Sequence, residues 1–445
     1  MNFLDNLVLP QSLEHIELLH YILMMVLFLF IPYMSVLFGG IIISFWYRRK
    51  GLSESNPMYL RFAIDVIETL TVNKSIGVIL GIVPAFTFVL IFAQLIHNTE
   101  SSALIYLLTA LLFSIIAIIL VYTYRYSVTF GRLFDSLKEA VSENESSNEQ
   151  LSNYRDGSIQ VGTRSGRYGI IFLFLSLYLI VAAISVTTYS TGDNGIFGNL
   201  FALKIIFRFI QFIAAAFTIT GGTIFFAFFF WDGGKKIDDV IYKAFIKKRA
   251  LYLTFTGALL LPIIICIDII ILPETVLSGA IFIYGILSLF LLFIVYHFLY
   301  SMIRNSDLKF SGAVFLLVLG SLLAIIVKDQ LAMGNALKPN AVILASKYDT
   351  YLKDLEGGDK GTEAVSGEQI FKNICSSCHS FDHKIVGPPY KLTLPKYEGH
   401  LNQLVAFIRN PVKKNPDYPP MPNPGLRPTE AQAIAEWIMK TYKTK

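Results

Sequence analysis

Eight long apolar runs recur along the first three quarters of the chain, and they limit its fold more than any other feature. A helix of about twenty apolar residues matches the hydrocarbon thickness of a bilayer. We place the runs at 18–46, 76–97, 102–124, 168–190, 207–231, 250–272, 276–302 and 310–328. A soluble helical protein would have no core in which to bury so many apolar faces. The sequence therefore predicts eight transmembrane helices within residues 1–328.

The connecting loops alternate in charge, which predicts the orientation of the chain. The loops after the odd-numbered runs are rich in Lys and Arg, as in Arg48-Arg49-Lys50 and Lys247-Lys248-Arg249. The loops after the second, fourth and sixth runs contain neither residue, and neither does segment 1–17. Because basic loops stay in the cytoplasm, the N-terminus and everything after the eighth run are predicted to face outward.

Residues 375–379 read Cys375-Ser376-Ser377-Cys378-His379, which is the attachment signature of a c-type haem. In such a site both thiols form thioether bonds to the porphyrin, and the histidine ligates the iron. A zinc site would need two further Cys or His ligands, and only His383 and His400 are near. A redox dithiol would be set in a βαβ unit, which the sequence does not show. The motif therefore predicts one covalent haem c.

The sixth iron ligand is predicted to be Met421, within Tyr418-Pro419-Pro420-Met421-Pro422. Its proline neighbours stiffen the backbone that would hold the thioether sulfur on the iron. His/Met ligation raises the reduction potential and suits electron transfer. His383, four residues past His379, is the alternative ligand.

Three further landmarks surround this motif. Ser366 followed by Gln369 fits a helix N-cap with a capping box. Gly387-Pro388-Pro389 follows the motif, and a helix carrying Trp437 ends the chain. With these landmarks, residues 366–445 resemble the class I monohaem cytochrome c domain. The resemblance implies a small all-α fold, a hydrogen bond from His379 to the Pro388 carbonyl, and packing of Trp437 against the N-terminal helix.

Ionisable residues within the predicted spans are candidate sites. His20 and His97 fall near the outer ends of the first two spans, and a pair of neutral imidazoles can ligate a b-type haem. Lys204 and Arg208 lie one helical turn apart at the outer end of the fifth span. They can pair with haem propionates, a quinone oxygen or an acidic group such as Asp268. The alternatives are interfacial histidines at helix ends and basic side chains that snorkel to lipid phosphates.

Leu18-Leu19-His20-Tyr21, followed by a long apolar helix with Pro32, resembles the first helix of subunit I of cytochrome bd quinol oxidases. In that family a histidine at this place ligates a haem. Gln211 stands where a second haem-ligating histidine would match, and the family's quinol-loop motif Glu-x-Gly-Arg-x-Pro-Trp has no counterpart. Over about the first 230 residues, the resemblance implies a relative that has lost some haem sites and the usual quinol site.

The predicted architecture is all-α. An eight-helix transmembrane bundle (1–328) is followed by a linker (329–365) and a cytochrome c domain (366–445). Residues 50–73 are expected to form an amphipathic helix on the cytoplasmic face. Residues 135–166 are expected to form a polar, partly helical cytoplasmic loop. The N-terminus lacks the positive segment that a cleavable signal peptide needs.

We expect an electron-transfer subunit of a respiratory complex in the bacterial inner membrane, with its haem domain in the periplasm. The alternatives are a quinol:cytochrome c oxidoreductase or oxidase subunit that holds haem b or quinone, and a structural membrane anchor. From Gly367 to Lys445 there are eleven Lys and Arg against six Asp and Glu, a net charge of +5. The redox partner is therefore expected to be acidic at its docking face. Other membrane subunits are expected as partners, and nucleic acid is not.

Overall fold

The computed structural model describes residues 11–97, 99, 101–140, 145–189, 195–235, 237–305, 308–355, 366–413 and 415–444. Throughout these residues the regular secondary structure is helical, without strands, which confirms the all-α prediction. The first ten helices are α1 (Leu13–Ser53), α2 (Pro57–Thr71), α3 (Lys74–Leu95, with a π-helical turn at Val78–Ile82), α4 (Ala103–Ala140), α5 (Glu145–Tyr189), α6 (Gly195–Leu200), α7 (Leu203–Phe229), α8 (Val240–Ile271), α9 (Gly279–Arg304) and α10 (Ser311–Leu355).

In the described part of the chain, eight helices are long and apolar enough to cross a membrane, namely all of these except α2 and α6. The predicted number of spans is confirmed, and the chain is a multi-pass membrane protein. Helices α4 and α5 continue well past their apolar runs. The predicted polar loop 135–166 is therefore helical up to Ala140 and again from Glu145, and residues 141–144 lie outside the described segments.

Helix α2 has the amphipathic character expected within residues 50–73. Its N-terminus is capped by Asn56, whose side-chain oxygen accepts the amide hydrogens of Met58 at 3.0 Å and Tyr59 at 3.4 Å. Pro57 occupies the first helical position, where no amide hydrogen is needed. The buried apolar side chains recur at helical spacing and comprise Phe62, Ala63, Val66, Ile67 and Leu70.

Helix α10 differs most from the expected boundaries. The sequence predicts that the last apolar run ends at residue 328 and that residues 329–365 form a linker. Instead the helix continues to Leu355, and residues 356–365 lie outside the described part. Lys328 is buried within the helix, so the charge that ended the apolar pattern is packed against protein.

The chain forms two compact units. One contains residues 22–93 and 100–333, which hold most of the membrane helices. The other contains residues 1–21, 94–99 and 334–445. In this second unit, the Asn340 side-chain nitrogen on α10 donates to the carbonyls of Leu95 at 2.9 Å and His97 at 3.2 Å.

The C-terminal domain is built from four α-helices in its described residues, with a short 3-10 helix at Pro395–Tyr397. The α-helices are α11 (Gly367–Ile370, continued by a π-helical turn at Phe371–Cys375), α12 (Tyr390–Thr393), α13 (Leu401–Arg409) and α14 (Pro428–Thr444). Helices α11 and α14 cross closely at Gly367, where a β-carbon would lie 2.2 Å from the Ala433 carbonyl oxygen. The Trp437 ring packs 5.0 Å from that of Phe371, which confirms the expected packing.

Ser366 precedes α11 as expected, but the predicted capping box is wrong. The Ser366 side chain makes no capping hydrogen bond. The backbone N–H of Gln369 donates to the backbone carbonyl of Ser366 at 2.9 Å instead, so this N–H needs no side-chain partner.

Candidate haem site and membrane charge cluster

The cysteine-histidine motif forms one tight turn at the end of the π-helical segment. The Cys375 carbonyl accepts the amide hydrogens of Cys378 at 3.1 Å and His379 at 2.8 Å. Both cysteines are free thiols and partly buried, and Cys375 packs against the apolar core of the domain. The motif residues are thus held together by their own backbone before any cofactor is considered.

A return segment closes over this turn. The Cys378 carbonyl accepts the amide hydrogens of Val386 at 3.2 Å and Gly387 at 2.8 Å. A β-carbon on Gly387 would lie 2.2 Å from Cε1 of His379. Only glycine therefore lets the backbone approach the imidazole so closely.

His379 is oriented by the bond that the family resemblance implied. Its Nδ1 lies 3.2 Å from the Pro388 carbonyl oxygen. Because a carbonyl only accepts, the proton must reside on Nδ1, which leaves the Nε2 lone pair free to ligate a metal. Burial lowers the pKa of His379, and the bond to Pro388 opposes that shift only in part. The imidazole is therefore neutral at pH 7, as a metal ligand must be.

Tyr390 covers the imidazole and reaches the first cysteine. Its ring stacks on that of His379, with centroids 5.0 Å apart and planes 13° from parallel. Burial raises the pKa of the Cys375 thiol to about 12, and the nearby Tyr390 hydroxyl opposes part of that shift. Two adjacent thiols, an imidazole with a free Nε2 and apolar surroundings fit a haem attached through thioether bonds.

The two candidates for the sixth ligand differ in exposure. Met421 is partly buried in the irregular loop between α13 and α14. His383 is exposed, and its Nδ1 is 3.1 Å from the Ser380 hydroxyl. Lys384, next to His383, places its ammonium group 5.0 Å from the ring centre of Tyr418, which connects the segment after the motif to the Met421 loop.

The comparisons with known proteins agree with this geometry. The family model of cytochrome c matches residues 364–441. Cytochrome c-551 of Pseudomonas denitrificans is 40% identical over 79 residues, which are 17% of this chain and 95% of that protein. Cytochrome c-551 of Azotobacter vinelandii is 35% identical over 82 residues, or 18% and 99% of the two chains. The Pseudomonas aeruginosa protein is 34% identical over 84 residues, or 18% and 81%. No solved structure gave a significant match.

The fold and the motif define a membrane protein with an electron-transfer head. Through its C-terminal domain, the chain belongs to the cytochrome c family. That family implies a covalent haem c and electron transfer. The family match begins at residue 364, and the resemblance of the membrane region to cytochrome bd subunit I is unconfirmed.

The structure adds no support for haem b or quinone near the two membrane histidines. The His20 ring lies beside Gly334, whose added β-carbon would be 3.8 Å from the ring. The backbone carbonyl of His97 is bound by Asn340. Gly334 and Asn340, the two α10 residues beside these histidines, are about 9 Å apart along the helix axis. Gln211, at the place of the second expected histidine, is buried, and its side-chain nitrogen has no partner among the described residues.

Arg208 belongs to a charge cluster that the sequence predicted only in part. Its Nε is 3.2 Å from Asp268 Oδ1, and its Nη2 is 3.0 Å from Asp329 Oδ1. Lys328 bonds to Asp268 and lies 2.8 Å from Asp329. The Tyr189 hydroxyl also donates to Asp268, at 3.4 Å. Three helices, α7, α8 and α10, thus share two positive and two negative charges.

Most of the charged side chains in the cluster are buried. The side chains of Asp268 and Lys328 are fully buried, that of Arg208 is 5% exposed, and that of Asp329 is 28% exposed. The expected role of Asp268 as counter-ion holds for Arg208. Lys204 is exposed and stacks its ammonium group on the Tyr189 ring at 4.9 Å.

Proposed function

We propose that this chain is the membrane-anchored electron-transfer subunit of a respiratory complex, relaying electrons through a His/Met-ligated haem c. The geometry around His379 supports the proposal most. A neutral imidazole, fixed by Pro388 and presenting Nε2, lies one residue after two free thiols. When bound, the haem supplies a one-electron couple, and His/Met ligation would poise it for transfer.

The residues of the domain have distinct parts in this proposal. Cys375 and Cys378 would attach the porphyrin, and His379 and Met421 would ligate its iron. The exposed position of His383 and its bond to Ser380 favour Met421, because the rival imidazole is directed to a local partner in the segment that carries it. Pro388 holds the proton on Nδ1 and so keeps Nε2 available.

Met421→Ala should lower the reduction potential of the haem and remove the weak absorption of the Met–iron bond at the red end of the oxidised spectrum. The physical reason is the loss of a thioether that stabilises ferrous iron. Potentiometric titration of the purified protein, followed by absorption, measures both effects.

His383→Ala is the matched control, and it should leave both the potential and the red band unchanged. If Met421→Ala behaves as wild type while His383→Ala loses the wild-type spectrum, the sixth ligand is His383.

The proposed location is the bacterial inner membrane, with the haem domain in the periplasm. The alternation of basic loops with loops that lack Lys and Arg supports this orientation. Haem c is attached on the outer side of the bacterial membrane, which independently favours the same side. Every loop rich in Lys and Arg follows an odd number of spans. With the N-terminus outside, all of these loops therefore lie in the cytoplasm.

The proposed redox partner carries an acidic docking face. The segment from Gly367 to Lys445 has a net charge of +5. Lys384 and Lys413 are exposed on the segment after the motif and on the Met421 loop, beside the exposed apolar side chains of Ile385 and Val412. Apolar contact surrounded by cations suits a transient complex with an acidic protein.

Electron exchange with the native partner should slow as ionic strength rises, since exposed charges are screened over roughly 8–10 Å. Lys413→Glu combined with Lys414→Glu should slow it at low salt; Lys414 lies outside the described residues. Stopped-flow rates over a salt series measure both effects.

Lys440→Glu with Lys443→Glu, on α14, is the control, because it changes the net charge equally away from the Met421 loop. Equal slowing by the two pairs would show that only net charge matters. Rates that ignore salt and both substitutions would favour a head fixed within its complex, without diffusional encounter.

A further inference from the structure

Tyr390 is the one aromatic side chain that lies parallel to the His379 imidazole among the described ring contacts of the domain. The two centroids are 5.0 Å apart and the planes differ by 13°. Tyr390 is 9% exposed and belongs to the apolar core. Its own ring is packed by Phe371 at 6.1 Å and by Phe381 at 5.3 Å. The tyrosine ring is therefore held in place and gives the imidazole a fixed packing surface.

The imidazole is restrained in three ways. The Gly387 backbone approaches so closely that a β-carbon would meet the ring at 2.2 Å. The Pro388 carbonyl binds Nδ1 at 3.2 Å. The hydrogen bond alone allows the ring to rock about its axis, whereas a stacked ring opposes any change in the plane. Tyr390 thus supplies the restraint that Pro388 cannot.

We propose that Tyr390 is a positioning residue that sets the plane of the axial imidazole over the haem. The proposal rests on the proposed role of His379 as iron ligand. The aromatic ring of Tyr390 is the part that fixes the imidazole, because stacking depends on the face of the ring. The hydroxyl lies near the Cys375 thiol and takes no part in the stacking, so the ring and the hydroxyl can be tested apart.

The plane of an axial imidazole can be measured directly. In low-spin ferric haem, the unpaired electron occupies an orbital whose orientation follows the axial ligands. With the methionine sulfur in one orientation, the spread of the haem methyl proton shifts and the anisotropy of the electron paramagnetic resonance signal follow the plane of the imidazole. Neither measurement requires a redox partner or an activity assay.

The experiment compares full-length wild type with Tyr390→Phe and Tyr390→Met, all in the oxidised state. Tyr390→Phe keeps the ring and loses the hydroxyl, so the methyl spread and the resonance signal should match wild type. Tyr390→Met keeps similar volume without a ring face, so both should shift. The Met–iron absorption, unchanged in all three proteins, serves as the check that the axial ligands are the same.

Two results would overturn the proposal: a Tyr390→Met spectrum identical to wild type, or a Tyr390→Phe spectrum shifted as far as that of Tyr390→Met. Tyr390→Leu, which also lacks a ring face, takes the place of Tyr390→Met if that variant fails to accumulate with haem. A wild-type protein without the signature of His/Met ligation would instead contradict the proposed function.

Discussion

Removing one charge from the Arg208–Asp268–Lys328–Asp329 cluster should destabilise the membrane domain by about 3–5 kcal/mol, the usual cost of leaving a buried ion without its partner. In Lys328→Met, Arg208 alone must balance two carboxylates. In Asp268→Asn, two cations face Asp329 alone. Each variant buries a net charge among helices α7, α8 and α10, where little water can compensate it.

The double variant separates charge balance from side-chain loss. Lys328→Met with Asp268→Asn restores neutrality and keeps the Arg208–Asp329 pair, which is 3.0 Å apart. We therefore expect it to cost far less than the sum of the single variants, and no more than either one. Denaturant unfolding of the purified protein in detergent, arranged as a double-mutant cycle, measures the coupling.

Lys204→Met is the control for this cycle. Its side chain is exposed and its ammonium group contacts the Tyr189 ring, so the change should cost about 1 kcal/mol or less. Additive single substitutions would show that the four charges do not form one electrostatic unit.

Replacing Cys375 and Cys378 together by serine should abolish covalent haem. The thioether bonds require both sulfurs, and the remaining His379 cannot by itself hold a porphyrin through denaturation. A denaturing gel stained for haem, together with a pyridine haemochrome spectrum, measures the loss. The same spectrum reports any b-type haem, which the structure does not support.

Cys266→Ser is the matched control, because Cys266 is the third free cysteine and lies in α8, within the membrane region. It should leave the haem stain at the wild-type level. A double variant of Cys375 and Cys378 that still carries covalent haem would contradict the attachment site.

Local patterns predicted most of the fold. Apolar run length predicted the eight spans, because a bilayer imposes the same requirement on each helix separately. The same pattern placed the end of α10 too early, because an apolar run is interrupted at its first charged residues. Lys328 can be buried within the helix because Asp268 lies opposite it. That pairing joins residues 60 positions apart, and hydropathy contains no information about such distant partners.

At the haem site, too, local sequence patterns predicted some features, and contacts between distant residues were visible only in the structure. The cysteine-histidine motif and Gly387-Pro388 are short-range patterns, and the structure places them together as the family resemblance implied. Tyr390 was not singled out, because a tyrosine after two prolines has no distinctive signature. Its contact with His379 follows from the return segment folding over the motif, which only the structure shows.

The length of α10 exceeds what crossing a bilayer requires. Its 45 residues extend over about 67 Å at about 1.5 Å per residue, whereas the hydrocarbon core of a bilayer is about 30 Å thick. The helix therefore offers several turns beyond its apolar run as a preformed surface. A membrane subunit that packs against these turns would bind a segment that is already helical, so association would not include the entropy cost of ordering that segment.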